Sequence, residues 1–222
     1  MKKIFFVACL LVTLIVPIFL MITGVFAVMR PAFLEYEYRQ ADFPQDEFGF
    51  TTDDRLTYAK VAVDYLLNSE DISYLGNETF ANGKPLYQAQ ELSHMVDVKT
   101  VVQKTFLAWW MIFIGLILMF FWAKSIHWLS YYLKAISNGG WLTLALLLVV
   151  VIFVFTSFYE LFTHFHQLFF SEGTWMFAYS DTLIRLFPLR FWQDGFIVTG
   201  AFAFLGGLLV GIGGWYLSKK VD

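Results

Sequence analysis

The sequence predicts an all-α membrane protein of four transmembrane helices, with a mixed α/β extracytoplasmic insertion after the first span. Three observations carry this reading. Of 222 residues, 59% are apolar and only 15% charged, whereas soluble domains run near half apolar and a quarter charged. Four apolar stretches reach the roughly 20 residues a helix needs to cross a hydrocarbon core. Between the first two lies a polar segment, Arg30 to Lys99, with thirteen acids against six bases.

The first stretch runs from Ile4 to about Met29, behind Lys2 and Lys3. Its apolar run of about 25 residues exceeds the 7–15 of a secretory signal and reads as an uncleaved anchor. The others run from about Phe106 to Ala123, from Trp141 to about Tyr159, and from about Phe196 to Leu217. Lys2, Lys3, Lys124, Lys134, Lys219 and Lys220 then fall on one side, the cytoplasm by the positive-inside rule. Both termini are expected inside and the acidic segment outside. The expected division is 1–30 as the first helix and 31–100 as an extracytoplasmic domain. Residues 101–222 form a three-helix core with an interfacial segment, 164–192.

Within the insertion, Thr51 or Thr52 is placed to cap a helix whose first turn holds Asp53 and Asp54. Leu56, Ala59, Val63 and Leu66 follow as an apolar stripe at helical spacing. Asn82-Gly83 between Thr79-Phe80 and Leu86-Tyr87 signals a hairpin, because both turn residues tolerate positive φ. In the later segment, Ser180-Asp181 before Leu183, Ile184, Leu186 and Phe187 predicts a short interfacial helix stopped by Pro188. Gly207 and Gly211 in the fourth span have the spacing that lets another helix approach closely.

Composition removes several classes of function. A net charge of -3 with no block of Lys and Arg speaks against nucleic acid as a partner. The single cysteine, Cys9, excludes a disulfide framework and a cysteine zinc site. No serine sits in a Gly-x-Ser-x-Gly elbow. His164-x-His166 suits metal binding on a strand better than on a helix, and no metal or cofactor is expected.

Histidine remains. His127 falls in the cytoplasmic connection, while His94, His164 and His166 fall at the outer face. His94 precedes the second span, with Glu91 and Asp97 three residues either side on one helix face. His166 follows the third. Imidazole titrates near neutrality, so two such side chains from different helices suit acid/base work on a lipid-borne substrate. The plainer role is hydrogen bonding to headgroups. Arg185, Arg190, Asp181 and Asp194 gather before the fourth span, where headgroup anchoring is again the plainer role.

Glu91-Leu92-Ser93-His94-Met95-x-Asp97-Val98 resembles the bacterial lipoprotein intramolecular transacylase family. So does Phe165-His166-Gln167-Leu168-Phe169-Phe170, followed by Trp175, Asp181, Leu186-Phe187-Pro188 and Phe191-Trp192-x-Asp194. The resemblance covers nearly the whole chain. It implies an enzyme of the bacterial plasma membrane acting on diacylglyceryl-modified lipoproteins among membrane lipid. The enzyme would move the sn-2 acyl chain to the α-amine of the N-terminal cysteine, giving the lyso form. The family's essential histidines fall on His94 and His166. Glu91, Asp97, Trp175, Asp181, Arg185, Arg190 and Asp194 are expected to orient them or line the site. The competing expectation is a non-enzymatic accessory or sensor protein that binds partners through its acidic outer loop.

Overall fold

The computed structural model describes residues 2–221, and every regular element among them is helical. In order these are α1 (Lys2–Val28), α2 (Pro31–Tyr38), α3 (Thr52–Leu67), α4 (Ser73–Gly76), α5 (Ala89–Ser125), α6 (Leu129–Thr156), α7 (Phe158–Phe169), α8 (Thr182–Leu186) and α9 (Leu189–Ser218). Helices α1, α5, α6 and α9 are long and apolar enough to cross a membrane. The chain divides into two compact units. One takes the chain up to Ala27, Phe106–Thr156 and the chain from Ile197; the other takes Val28–Thr105 and Ser157–Phe196.

The first unit is built from close-packed helices. Phe5, Val12, Val16 and Leu20 of α1 are buried with Ala123, Tyr132, Leu133, Ala135, Leu147 and Ala203. Small residues set the approach of α6 to α9. A Cβ on Gly140 would lie 2.6 Å from both Gly207 O and Gly211 N, so only glycine permits that contact. Ser137 Oγ donates to Gly211 O at 2.6 Å across the same seam. Small residues and interhelical hydrogen bonds are how helices associate where solvent is as apolar as the side chains.

In the second unit, Thr51 caps α3 in a capping box with Asp54. Leu56, Ala59, Val63 and Leu66 are buried as their spacing predicted. The predicted hairpin, and with it the mixed α/β insertion, does not form. Gly83 adopts φ +79° and Phe80 N–H donates to Lys84 O at 2.9 Å, so the turn is there. Its flanks make one isolated bridge, Thr79 to Pro85. Pro85 has no N–H to extend a ladder, and a hairpin with no third strand is marginal in water. The turn packs instead on helices, through buried Leu75, Leu86 and Tyr87.

This unit is stitched to the segment that follows the third span. Tyr38 Oη donates to Leu186 O at 2.8 Å, and Arg55 Nε to Arg185 O at 3.0 Å. Residues 164–192 therefore pack with the insertion. The second span continues a helix already running from Ala89, in keeping with the shared helix face of Glu91, His94 and Asp97. The third apolar stretch is broken at Ser157, whose φ of -149° and ψ of 50° interrupt α6 and start α7.

Candidate active site

Both candidate histidines lie in the second unit, on α7 and on residues 89–105 of α5, before the stretch of that helix from Phe106 that belongs to the first unit. The start of α5 is fixed by Glu91, 1% exposed. Its Oε2 accepts Gln88 N–H and its Oε1 accepts Leu183 N–H, each at 2.7 Å. The first bond satisfies a donor at the helix start; the second ties α5 to α8. Burial raises the Glu91 carboxyl, while these N–H donors pull it down.

One turn on, His94 is 8% exposed, and His166 of α7 is 7% exposed. Their ring centroids are 6.3 Å apart and nearly parallel, at 24°. Aromatic rings wall them in. Phe170 lies 4.9 Å from His94 and 5.6 Å from His166. Phe177 lies 5.4 Å from His94, while Phe162 at 4.0 Å and Trp175 at 4.8 Å flank His166. His166 Nδ1 is 2.8 Å from Phe162 O. A carbonyl only accepts, so Nδ1 carries the proton and Nε2 keeps its lone pair.

Burial disfavours a charge on either ring. Burial, and then the neighbouring His166, push His94 down to about 4. Burial also lowers His166, against the Phe162 carbonyl, which favours its protonated form. Three buried polar atoms here lack a hydrogen-bond partner among the described residues: His94 Nδ1, Thr163 Oγ1 and Trp175 Nε1. Most buried polar groups are paired; these three are exceptions.

The loop 171–178 supplies Trp175 and Phe177 together. Gln90 Nε2 donates to Gly173 O at 3.2 Å and Met176 O at 3.3 Å. Asp181 accepts Gln88 Nε2 at 2.7 Å and Ala178 N–H at 2.8 Å. Asp181 is thus a positioning residue for the loop.

The remaining candidates sit elsewhere. Asp97 is exposed, and the Glu91 oxygens are spent on Gln88 and Leu183, not on His94. Arg185 is buried against Asp46 at 2.9 Å, with its guanidinium 3.5 Å over the Phe50 ring. Arg190 pairs with Asp194 and, at 3.1 Å, with Asp42. Asp194 also meets Glu37, which is 1% exposed. Burial, then the hydrogen bond with Asp194, push Glu37 up to about 8. His164 is exposed, its Nδ1 3.2 Å from Gln167 Oε1. Among the described residues, no three His, Cys, Asp or Glu side chains converge as a metal-binding group. The open apolar grooves, of about 490 and 350 Å³, lie among α1, α5 and α6 and hold no histidine.

Sequence reasoning missed Phe162 and Phe177 beside the histidines and Glu37 away from them, and held Phe170 only as the end of the motif at 165–170. Phe162 and Phe177 carry no signal of their own among 26 phenylalanines. Glu37 carries a weak one, as an acid between the aromatics Tyr36 and Tyr38 on a short helix.

A family model described as lipoprotein intramolecular transacylase Lit matches residues 7–192. An uncharacterized protein of Aquifex aeolicus is 32% identical over 178 residues, spanning 80% of this chain and 79% of that one. The solved structure of lipoprotein intramolecular transacylase Lit from Bacillus cereus superposes with a TM-score of 0.80 at 21% identity, over 99% of this chain and 98% of that one. A histidine-to-alanine variant of that protein superposes at 0.71 and 20% identity, over 99% and 96%. At these identities the structural likeness speaks for the fold.

Proposed function

This chain belongs to the lipoprotein intramolecular transacylase family, and from that premise we propose that it moves the sn-2 acyl chain of a diacylglyceryl-cysteine lipoprotein to that cysteine's α-amine, by histidine acid/base catalysis. Family membership makes the chain a membrane-integral transacylase and removes the accessory-protein alternative. The observation that carries the finer reading is the buried pair His94 and His166, 6.3 Å apart on two helices. The lysine pattern supports a site on the extracytoplasmic side with both termini in the cytoplasm.

The amine and the ester belong to one molecule, so attack closes an eight-membered ring through the thioether. A pocket that holds the ring closed supplies much of the rate by orientation, and no enzyme nucleophile is required. His166 suits the base, because its Nδ1–H is committed to Phe162 O and Nε2 is free to take the amine proton. The Phe162 carbonyl then steadies the imidazolium. An α-amine ionises at about 8, so a share of it is already neutral at physiological pH and able to attack. The same proton returns to the glyceryl oxygen as the C–O bond breaks. His94, held neutral by burial, faces His166 without competing for the charge.

The test uses purified protein and a diacylglyceryl lipopeptide in detergent. Transfer within one molecule leaves its mass unchanged, so the readouts are amine labelling and alkaline hydrolysis. The amine should become unreactive, and base should release one fatty acid where it released two. A persistently free amine with two base-labile chains would overturn the proposal.

A further inference from the structure

We propose that Trp175 is a catalytic hydrogen-bond donor: its indole Nε1–H binds the carbonyl oxygen of the reacting ester and the oxyanion that replaces it. The inference rests on the acyl-transfer reading above and names the group that stabilises its charge. Attack of the amine nitrogen on the ester carbon forms the C–N bond and moves the carbonyl π pair onto oxygen. Collapse restores the carbonyl, breaks the C–O bond to glycerol and sends the shuttled proton to that oxygen. Between those events the oxygen is anionic and needs a donor already in place.

Few groups beside the histidine pair could act as that donor. His166 has its Nδ1–H committed to Phe162 O, and the proton that Nε2 takes up is the one it must deliver to the glyceryl oxygen. Thr163 Oγ1 is a buried, unpaired hydroxyl on α7, but a hydroxyl rotates and accepts as readily as it donates. His94, though unpaired at Nδ1, is neutral and exchanges donor and acceptor between its nitrogens. Trp175 is different in kind. An indole nitrogen donates and never accepts. Its Nε1 is buried and has no partner among the described residues, and its ring lies 4.8 Å from the His166 ring. A buried donor left unpaired is costly to the fold, so the partner it fits is an oxygen that arrives with substrate. The loop is also held for the purpose. Gln90 fixes it through Gly173 O and Met176 O, and Asp181 fixes its end through Ala178 N–H.

The test replaces Trp175 with benzothienylalanine, which keeps the bicyclic shape and puts sulfur in place of N–H. Thermal stability should match wild type, KM should hold, and kcat should fall by about 100- to 1,000-fold, the usual loss of one oxyanion donor. Trp175→Phe should lose as much in kcat. A second arm needs no variant turnover. Wild-type protein labelled with ¹⁵N at indole nitrogens is titrated with a phosphonate analogue of the diacylglyceryl lipopeptide. The Trp175 Nε1–H resonance, identified by its absence in Trp175→Phe, should move downfield. Full kcat in the benzothienylalanine protein, or an unmoved resonance on saturation, overturns the donor role while leaving histidine catalysis standing. Failure of wild-type protein to acylate the amine overturns both.

Discussion

Glu91 provides a test that separates a positioning role from a chemical one. The sequence placed it beside His94 as an orienting carboxylate, yet its oxygens bind Gln88 N–H and Leu183 N–H at 2.7 Å each. Hydrogen bonds to a charged group contribute about 1.5–3 kcal/mol apiece, so Glu91→Ala should cost roughly 3–6 kcal/mol. For a chain of this length each kcal/mol lowers Tm by about 2–4 °C, which puts the loss on the order of 10 °C. Glu91→Gln keeps one acceptor oxygen but turns an NH₂ toward the other N–H, and should lose about half as much. Intrinsic fluorescence on heating in detergent reads the shift. Well below its transition, Glu91→Gln should retain most of its transacylation rate. An unchanged Tm with activity abolished would refute the clamp and restore Glu91 as a partner of the imidazole.

Three further outcomes are expected. His94→Ala and His166→Ala should each remove nearly all transacylation while the protein still inserts, whereas His164→Ala and Cys9→Ala should keep most of it; a dead Cys9→Ala beside an active His94→Ala would reverse the assignment. Glu37, raised from 4.5 to about 8, contributes stability that is full below about 4.5 and lost as pH rises through about 8. It faces Asp194 and Arg190 of α9 and Asp42 of the loop after α2, so Glu37→Gln should flatten the fall in Tm between about pH 4.5 and 8, and an unaltered profile would reject this. Gly140→Ala sets a methyl 2.6 Å from the backbone of α9 and should cost about 1–3 kcal/mol by overpacking, read as a lower Tm; a neutral Ala would mean that the helices part easily.

The sequence exposed what depends on local pattern and concealed what depends on distant partners. The four spans, the Thr51 cap and the turn at Gly83 were legible because residues within a few positions decide them. Strands at 79–87 were not, since a hairpin signal says nothing about whether a third strand will pair with it. The break at Ser157 carries neither proline nor glycine and left no trace in the apolar run. His94 and His166 were legible as helix-end histidines and by family resemblance. The roles of Glu91 and Asp181 were not, because Leu183 lies 92 residues beyond Glu91 and Gln88 lies 93 residues before Asp181.

Those separations have a consequence for the order of synthesis. Tyr38 meets Leu186 across 148 residues, and Arg55 meets Arg185 O across 130. The segment 28–105 leaves the ribosome long before 157–196 exists, with three apolar stretches still to follow. Until Leu183 and Leu186 arrive, Tyr65, Leu75 and Tyr87 lack the residues that complete their core, and the Glu91 carboxylate lacks its second donor. Contacts this far apart in chain order form late and slowly. The pairing of His94 with His166 is therefore among the last features to be assembled, and a nascent chain that stops before α7 lacks His166 altogether.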